Sequence, residues 1–189
     1  MKRICLTLLP ILALAVPSTQ AGAQSWPSRP IRAIVPYTAG SGTDVTARVI
    51  LNQLSSELGQ TIVVENRVGA GGTIGTAAAA KADPDGYTIL VQSSALTIAP
   101  SIYQNLAYDT ARDLAAVTPL GISPNVLIIS PSKGIKTIHE LASAAKAKPG
   151  SLTFASAGVG TNTHLSAERF RLRQVSKPFT SPSKAARKQ

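Results

Sequence analysis

Across 189 residues the chain carries 19 Lys and Arg against 9 Asp and Glu, a net charge of +10 that at first suggests a nucleic-acid binder. The distribution excludes that class. Lys2 and Arg3 open the chain and Arg173, Lys177, Lys184, Arg187 and Lys188 close it, while the middle intersperses acids and bases with no basic stripe among aromatics.

Residues 1–23 read as an export signal. Lys2 and Arg3 precede the apolar run "ICLTLLPILALAV", and Ala21, Gly22 and Ala23 form an A-x-A cleavage site. The run is too short for a membrane span, which needs about 20 residues. The expected location is therefore the periplasm, with cleavage near Ala23. Cys5 is the only cysteine and lies inside this signal, so the mature chain has neither a disulfide nor thiolate chemistry.

"IRAIVPY" is predicted as a buried strand, bounded by Pro30 and a glycine-containing loop. "DVTARVILNQLSSELG" is predicted as a helix with Val45, Val49, Leu51 or Asn52, Leu54 and Leu58 on its apolar face and Gly59 at its end. "QTIVVENR" is a second strand, "VGAGG" a turn, and "TIGTAAAAKA" a helix small enough to pack closely on a sheet. "DPDG" is a turn and "YTILVQSS" a third strand. Strand and helix in alternation imply a parallel sheet. After Tyr103, "LAYDTARDLAAVTPLG" reads as a crossing segment. "NVLIIS" and "SLTFAS" are expected strands, with a helix between them that starts at a Thr137 to Glu140 capping box. A last helix is expected over "THLSAERFRL". This divides the chain into a first lobe at 24–120 and part of a second at 121–172.

Two loops stand out. "YTAGSGTD" runs from Tyr37 to Asp44 and "SAGVGTNTH" from Ser156 to His164, and each joins a predicted strand to a predicted helix. Ligands of open parallel sheets sit beyond the carboxyl ends of strands. The first N–H groups of each helix have no internal partner and favour an anion. Glycine permits close backbone approach, and Ser41, Thr43, Ser156, Thr161 and Thr163 add hydroxyls. The guest such loops suit is a small carboxylate held by neutral donors. A plain helix cap at Thr43 or Asp44 is the competing reading.

The other motifs carry less. "GAGGTIG" fails the dinucleotide spacing because Ile74 stands where the third glycine belongs. His139 and His164 have no carboxylate at ligand spacing, so no metal site is expected, and no cofactor is indicated. Ser93 and Ser94 lack a base and a nucleophile elbow and suit a pocket lining better than catalysis. Asp83 and Asp85 belong to a turn. An exported α/β enzyme acting on a small acid stays open as an alternative, as does a secreted interaction protein using the basic tail.

The segments "WPSRPIRAIVPYTAGSGTDVTAR", "VVENRVGAGGTIGTAAAAKADPDGYTIL", "SPNVLIISPSKGIKTIHEL" and "TFASAGVGTNTHLSAERF" resemble the extracytoplasmic receptors of tripartite tricarboxylate transporters, the Bug proteins. The likeness runs from Trp26 to Leu172. It implies an α/β periplasmic binding protein-like (type II) fold with two lobes and parallel sheets, incomplete in this chain. It also implies capture of a small carboxylate, delivery to membrane permease subunits, and action as a monomer that is not an enzyme. By motif, the implied ligand-binding residues are Tyr37, Thr38, Ala39, Gly40, Ser41, Gly42, Thr43 and Asp44 of the first loop. Ser93 and Ser94 come from a third loop. Ser156, Ala157, Gly158, Gly160, Thr161 and His164 belong to the second. Two departures stand in the first loop, where Ala39 replaces the family's second proline and Ser41 interrupts its paired glycines.

Such receptors are longer, and the tail "RQVSKPFTSPSKAARKQ" has no helix or strand period. Read one base earlier in permitted codons, Gln174 to Gln189 become Ala-Gly-Phe-Lys-Ala-Val-His-Val-Pro-Phe-Lys-Gly-Gly-Pro-Glu-Ala. That resembles the family's continuation. The expectation is one lost base near Leu172 or Arg173, a tail out of frame, and a shortened chain that folds and binds poorly. A natural basic tail is the alternative.

Overall fold

A computed structural model describes residues 25–174. The expected export signal and nearly all of the basic tail lie outside the described residues. Among these residues no helix is long and apolar enough to cross a membrane.

The first part of the chain builds a three-stranded parallel sheet in the order β2-β1-β3. β1 is Ile31–Val35, β2 Ile62–Asn66 and β3 Thr88–Leu90. Ile31 pairs with Ile62, and Ala33 faces Val64 on one side and Ile89 on the other. β1 is central, and that is why its run is apolar almost without a break: Ile31, Ala33, Ile34 and Val35 are all buried. Edge strand β2 keeps Val63 in solvent. β3 is shorter than the predicted strand. Val91 still donates to the Ile34 carbonyl at 3.0 Å, and then the chain turns away into α3.

α1 (Gly42–Leu58) and α2 (Thr73–Ala80) are the two crossovers. Gly59 ends α1 with φ at 63°, and its N–H together with that of Gln60 closes the last turn onto Ser55 and Ser56. The buried stripe of α1 keeps the predicted Leu51 but otherwise differs from the predicted one. Asp44, Ala47 and Leu51 face inward, whereas Val45 and Val49 are 52% and 68% exposed. The core is formed by Ala33, Val35, Tyr37, Ala47, Leu51 and Val91, with Ile62, Val64 and Ile89 against it. α2 packs as closely as its small residues suggest. A Cβ on Gly75 would stand 2.7 Å from both the Arg67 carbonyl oxygen and Pro36 Cβ. α3 (Ala95–Ile102) forms despite Pro100, which denies it one backbone hydrogen bond.

The second part corrects the sequence reading. "NVLIIS" and "SLTFAS" are not strands here. A β-prone segment becomes a strand only where another edge takes up its N–H and C=O groups, and among the described residues neither segment finds one. Val126 and Ile128 are accordingly 78% and 84% exposed. Two predicted helices do form, α4 (Ile138–Ala147) and α5 (Asn162–Gln174). Thr137 caps α4 by accepting from the Glu140 N–H at 3.1 Å. The Glu140 carboxylate reaches one residue past the cap, to the Lys136 N–H at 2.7 Å.

Candidate functional site

The first loop leaves β1 through buried Pro36 and Tyr37 and enters α1 at Ser41. Ser41 is the N-cap, and its Oγ accepts from the Asp44 N–H at 3.3 Å. Asp44 is 1% exposed, and its carboxylate is fully engaged within the chain. Oδ2 accepts from the Gly40 N–H at 2.8 Å and from Arg48 Nε at 2.9 Å, and Oδ1 accepts from Asn66 Nδ2 at 2.8 Å. The hydrogen bond from Arg48 is the main cause that lowers the Asp44 pKa to about 2; burial opposes it, and Asn66 and Gly40 add to it. Asp44 is thus the clamp that shapes the loop. Asn66 Nδ2 also donates to the Tyr37 carbonyl at 2.9 Å, tying the loop to the end of β2.

Thr38, Ala39, Gly40 and Gly42 are exposed. Gly40 has φ at 80°, which favours glycine. Gly42 does not need its missing side chain for backbone conformation, and a Cβ there would meet nothing within 4 Å. The N–H groups of Gly42 and Thr43 open the helix and have no acceptor within it. Arg48 is held by Asp44 and, at 3.0 Å, by Asn66 Oδ1.

The third loop contributes Ser93 and Ser94. Ser93 Oγ lies 2.6 Å from the Tyr37 hydroxyl and accepts from the Ala95 N–H at 3.2 Å. Behind it Gln92 Oε1 accepts from Ser93 N–H, and Gln92 Nε2 donates to Thr76. Burial raises the Tyr37 pKa, so its hydroxyl stays neutral. Ser94 precedes α3, exposed and without a side-chain cap bond.

The second loop is built largely from its own hydroxyls. Ser156 Oγ accepts from Gly158 N–H at 3.3 Å, and Thr163 Oγ1 accepts from Ala157 N–H at 3.1 Å. Buried Thr161 donates to the Gly158 carbonyl at 2.6 Å and accepts from His164 N–H at 3.4 Å, capping α5. His164 Nδ1 lies 3.5 Å from Gly160 N, and its ring is 6.3 Å from that of Phe154. Of the five hydroxyl groups expected to face a guest, Ser41, Ser156, Thr161 and Thr163 therefore also hold the loops in shape. Ser41 and Ser156 do so as acceptors, which leaves each O–H proton free.

Sequence reasoning passed over Gly69 to Gly72 as a turn. This run follows β2, and all three of its glycines, with Ala70, have positive φ. A Cβ on Gly72 would come within 2.7 Å of Gln92 Nε2 and 3.4 Å of the Tyr37 hydroxyl. One on Gly71 would overlap the Val159 carbonyl oxygen of the second loop. The run therefore joins the two predicted loops. The available signal was its place directly after a strand, like that of the first loop.

A separate cavity of about 370 Å³ opens at the amino ends of β1 and β3, lined by Arg29, Arg32, Lys81, Asp83, Asp85 and Tyr87. Its cations are largely compensated. Arg29 pairs with Asp85 at 2.6 Å and stacks over Tyr87, and Arg32 lies 3.7 Å from Glu65. Among the described residues no group of three His, Cys, Asp or Glu could hold a metal ion.

Comparison with known proteins gives one consistent result. The family model described as "Tripartite tricarboxylate transporter family receptor" matches residues 46–186. The chain is 39% identical to protein BugT of Bordetella pertussis over 175 residues, covering 92% of this chain and 54% of the relative. It is 44% identical to a UPF0065 protein of Bordetella bronchiseptica over 165 residues, covering 86% of this chain and 48% of the relative. It thus spans about half the length of these relatives. Among solved structures it is similar to Rpa4515 of R. palustris with adipate, at a TM-score of 0.75 and 31% identity over 84% of this chain and 54% of that one. It is also similar to MatC of Rhodopseudomonas palustris with bound malate (0.72, 29%, 84% and 54%). A third is the periplasmic binding protein BugD (0.67, 34%, 84% and 53%).

Proposed function

Because the chain belongs to the tripartite tricarboxylate transporter receptor family, we propose that it is the part of an extracytoplasmic receptor that grips a small carboxylate. The family is one of receptors and not of enzymes. The observation that carries the reading is Gly42. Its missing side chain serves neither conformation nor packing within the chain, yet it leaves the first N–H groups of α1 open to a guest. The N–H groups of Asn162 and Thr163 at the start of α5 offer the same chemistry from the second loop. The adipate and malate bound by two similar structures support a dicarboxylate class.

The family name points to membrane permease subunits as the partner, and the signal-like start points to the periplasm. The family match extends to residue 186, into the tail, and sequencing the gene decides whether residues 173–189 are in frame. The exposed Val126 and Ile128 lead us to expect binding weaker than micromolar by the chain as given. Calorimetric titration with malate, adipate and their neutral diamides tests the receptor reading. Heat from the acids alone is expected; an equal response to the diamides would contradict carboxylate recognition.

A further inference from the structure

Tyr103 belongs to neither predicted loop and to no motif singled out in the sequence. It ends α3, donating its N–H to the Ala99 carbonyl at 2.9 Å. Its hydroxyl crosses to the second loop and donates to the Val159 carbonyl at 3.1 Å. The same carbonyl presses on Gly71, where a Cβ would overlap it and would stand 3.1 Å from the Tyr103 hydroxyl. A Cβ on Gly160 would lie 3.3 Å from Tyr103 Cε2. Gly158 completes the contact, its added Cβ falling 3.8 Å from Gly71 Cα. Two glycines, Gly71 and Gly160, thus clear the space in which one phenol holds one carbonyl.

We propose that Tyr103 is the positioning residue of the cleft, fixing the Val159 carbonyl against Gly71 and so setting the gap between the two carboxylate loops. The gap matters only if those loops grip the acid, so the proposal rests on the receptor reading for its functional meaning. Its structural content is independent. Gly72 lies next to Gly71 and close to the Tyr37 hydroxyl, so the pinned carbonyl is two residues of backbone away from the first loop's base. Tyr103 packs against Gly160 of the second loop but reaches none of the helix-start N–H groups assigned to the acid. It acts equally on every acid the cleft takes, and selectivity among acids lies elsewhere.

The test is Tyr103→Phe, which removes one oxygen and keeps the ring. Hydrogen exchange is followed on the ligand-free chain. Exchange over 157–164 is expected to rise roughly five- to tenfold, the effect of one lost neutral hydrogen bond, with 31–35 unchanged. Gly71→Ala, which drives a methyl into the Val159 carbonyl, is expected to raise exchange in the same segment further. Unchanged exchange over 157–164 in Tyr103→Phe overturns the proposal. A rise that includes 31–35 overturns it too, because Tyr103 would then support the fold at large. Titration with malate and with adipate adds the functional arm. Tyr103→Phe is expected to weaken both by the same factor, and an unequal loss would make Tyr103 a ligand contact and overturn the positioning role. If the unaltered chain ignores both acids, the receptor reading fails while the exchange result still decides this one.

Discussion

Asp44 at the start of α1 accepts from the Asn66 side-chain amide at 2.8 Å, across 22 residues of sequence and from the end of a neighbouring strand. The same amide group holds the Tyr37 carbonyl, so a single asparagine fixes both ends of the first loop. A buried acid is tolerated here because each of its oxygens has a donor.

Asp44→Ala should therefore cost about 2–4 kcal/mol, since it leaves the Gly40 N–H and one proton of the Asn66 amide without a partner. Urea unfolding measures this. Asn66→Ala should cost a similar amount, and the double variant should lose less than the sum, because the two residues share one network.

The same carboxylate makes a pH prediction. Its pKa is lowered to about 2 in the folded chain, so its stabilisation is fully present above the ordinary aspartate value. That stabilisation is lost as pH falls from about 4 to about 2. Acid unfolding of Asp44→Asn should lack this component. An acid transition identical to that of the unaltered chain would contradict the clamp.

The glycines of the first loop should separate cleanly. Gly40→Ala forces a Cβ into the left-handed region and should destabilise the fold by about 1 kcal/mol. Gly42→Ala should leave thermal stability unchanged or raise it by up to about 1 kcal/mol, while weakening acid binding. Thermal melts paired with titrations distinguish the two.

At Gly75 the constraint is packing. An alanine methyl would meet the Arg67 carbonyl and Pro36, so Gly75→Ala should cost about 1–3 kcal/mol in urea unfolding.

Much of the first lobe was legible. Ile31 to Val35 is an unbroken apolar run after Pro30, and Gly59 stops α1 where expected. The face of α1 was legible only at Leu51. Periodicity places valines inward, but Asp44 takes the buried position because Asn66, distant in sequence, satisfies it. The strands expected over 125–130 and 151–156 were misread because β-propensity cannot supply a pairing partner. At the site, the cap of α1 falls on Ser41, where the sequence had offered Thr43 or Asp44, and Thr161 caps α5. The bridge from Gly69 to Gly72 was passed over because close approach between distant backbones leaves no periodic trace. Tyr103 was missed because a lone aromatic after a helix looks like packing.

The most direct measurement is an amide spectrum of the chain during titration with malate and then adipate. The account predicts concerted shifts at Gly42, Thr43, Asn162 and Thr163, with the amides of Arg29, Arg32 and Lys81 unmoved. Shifts confined to the cavity around Arg29, Arg32 and Lys81, or to cationic side chains alone, would contradict it.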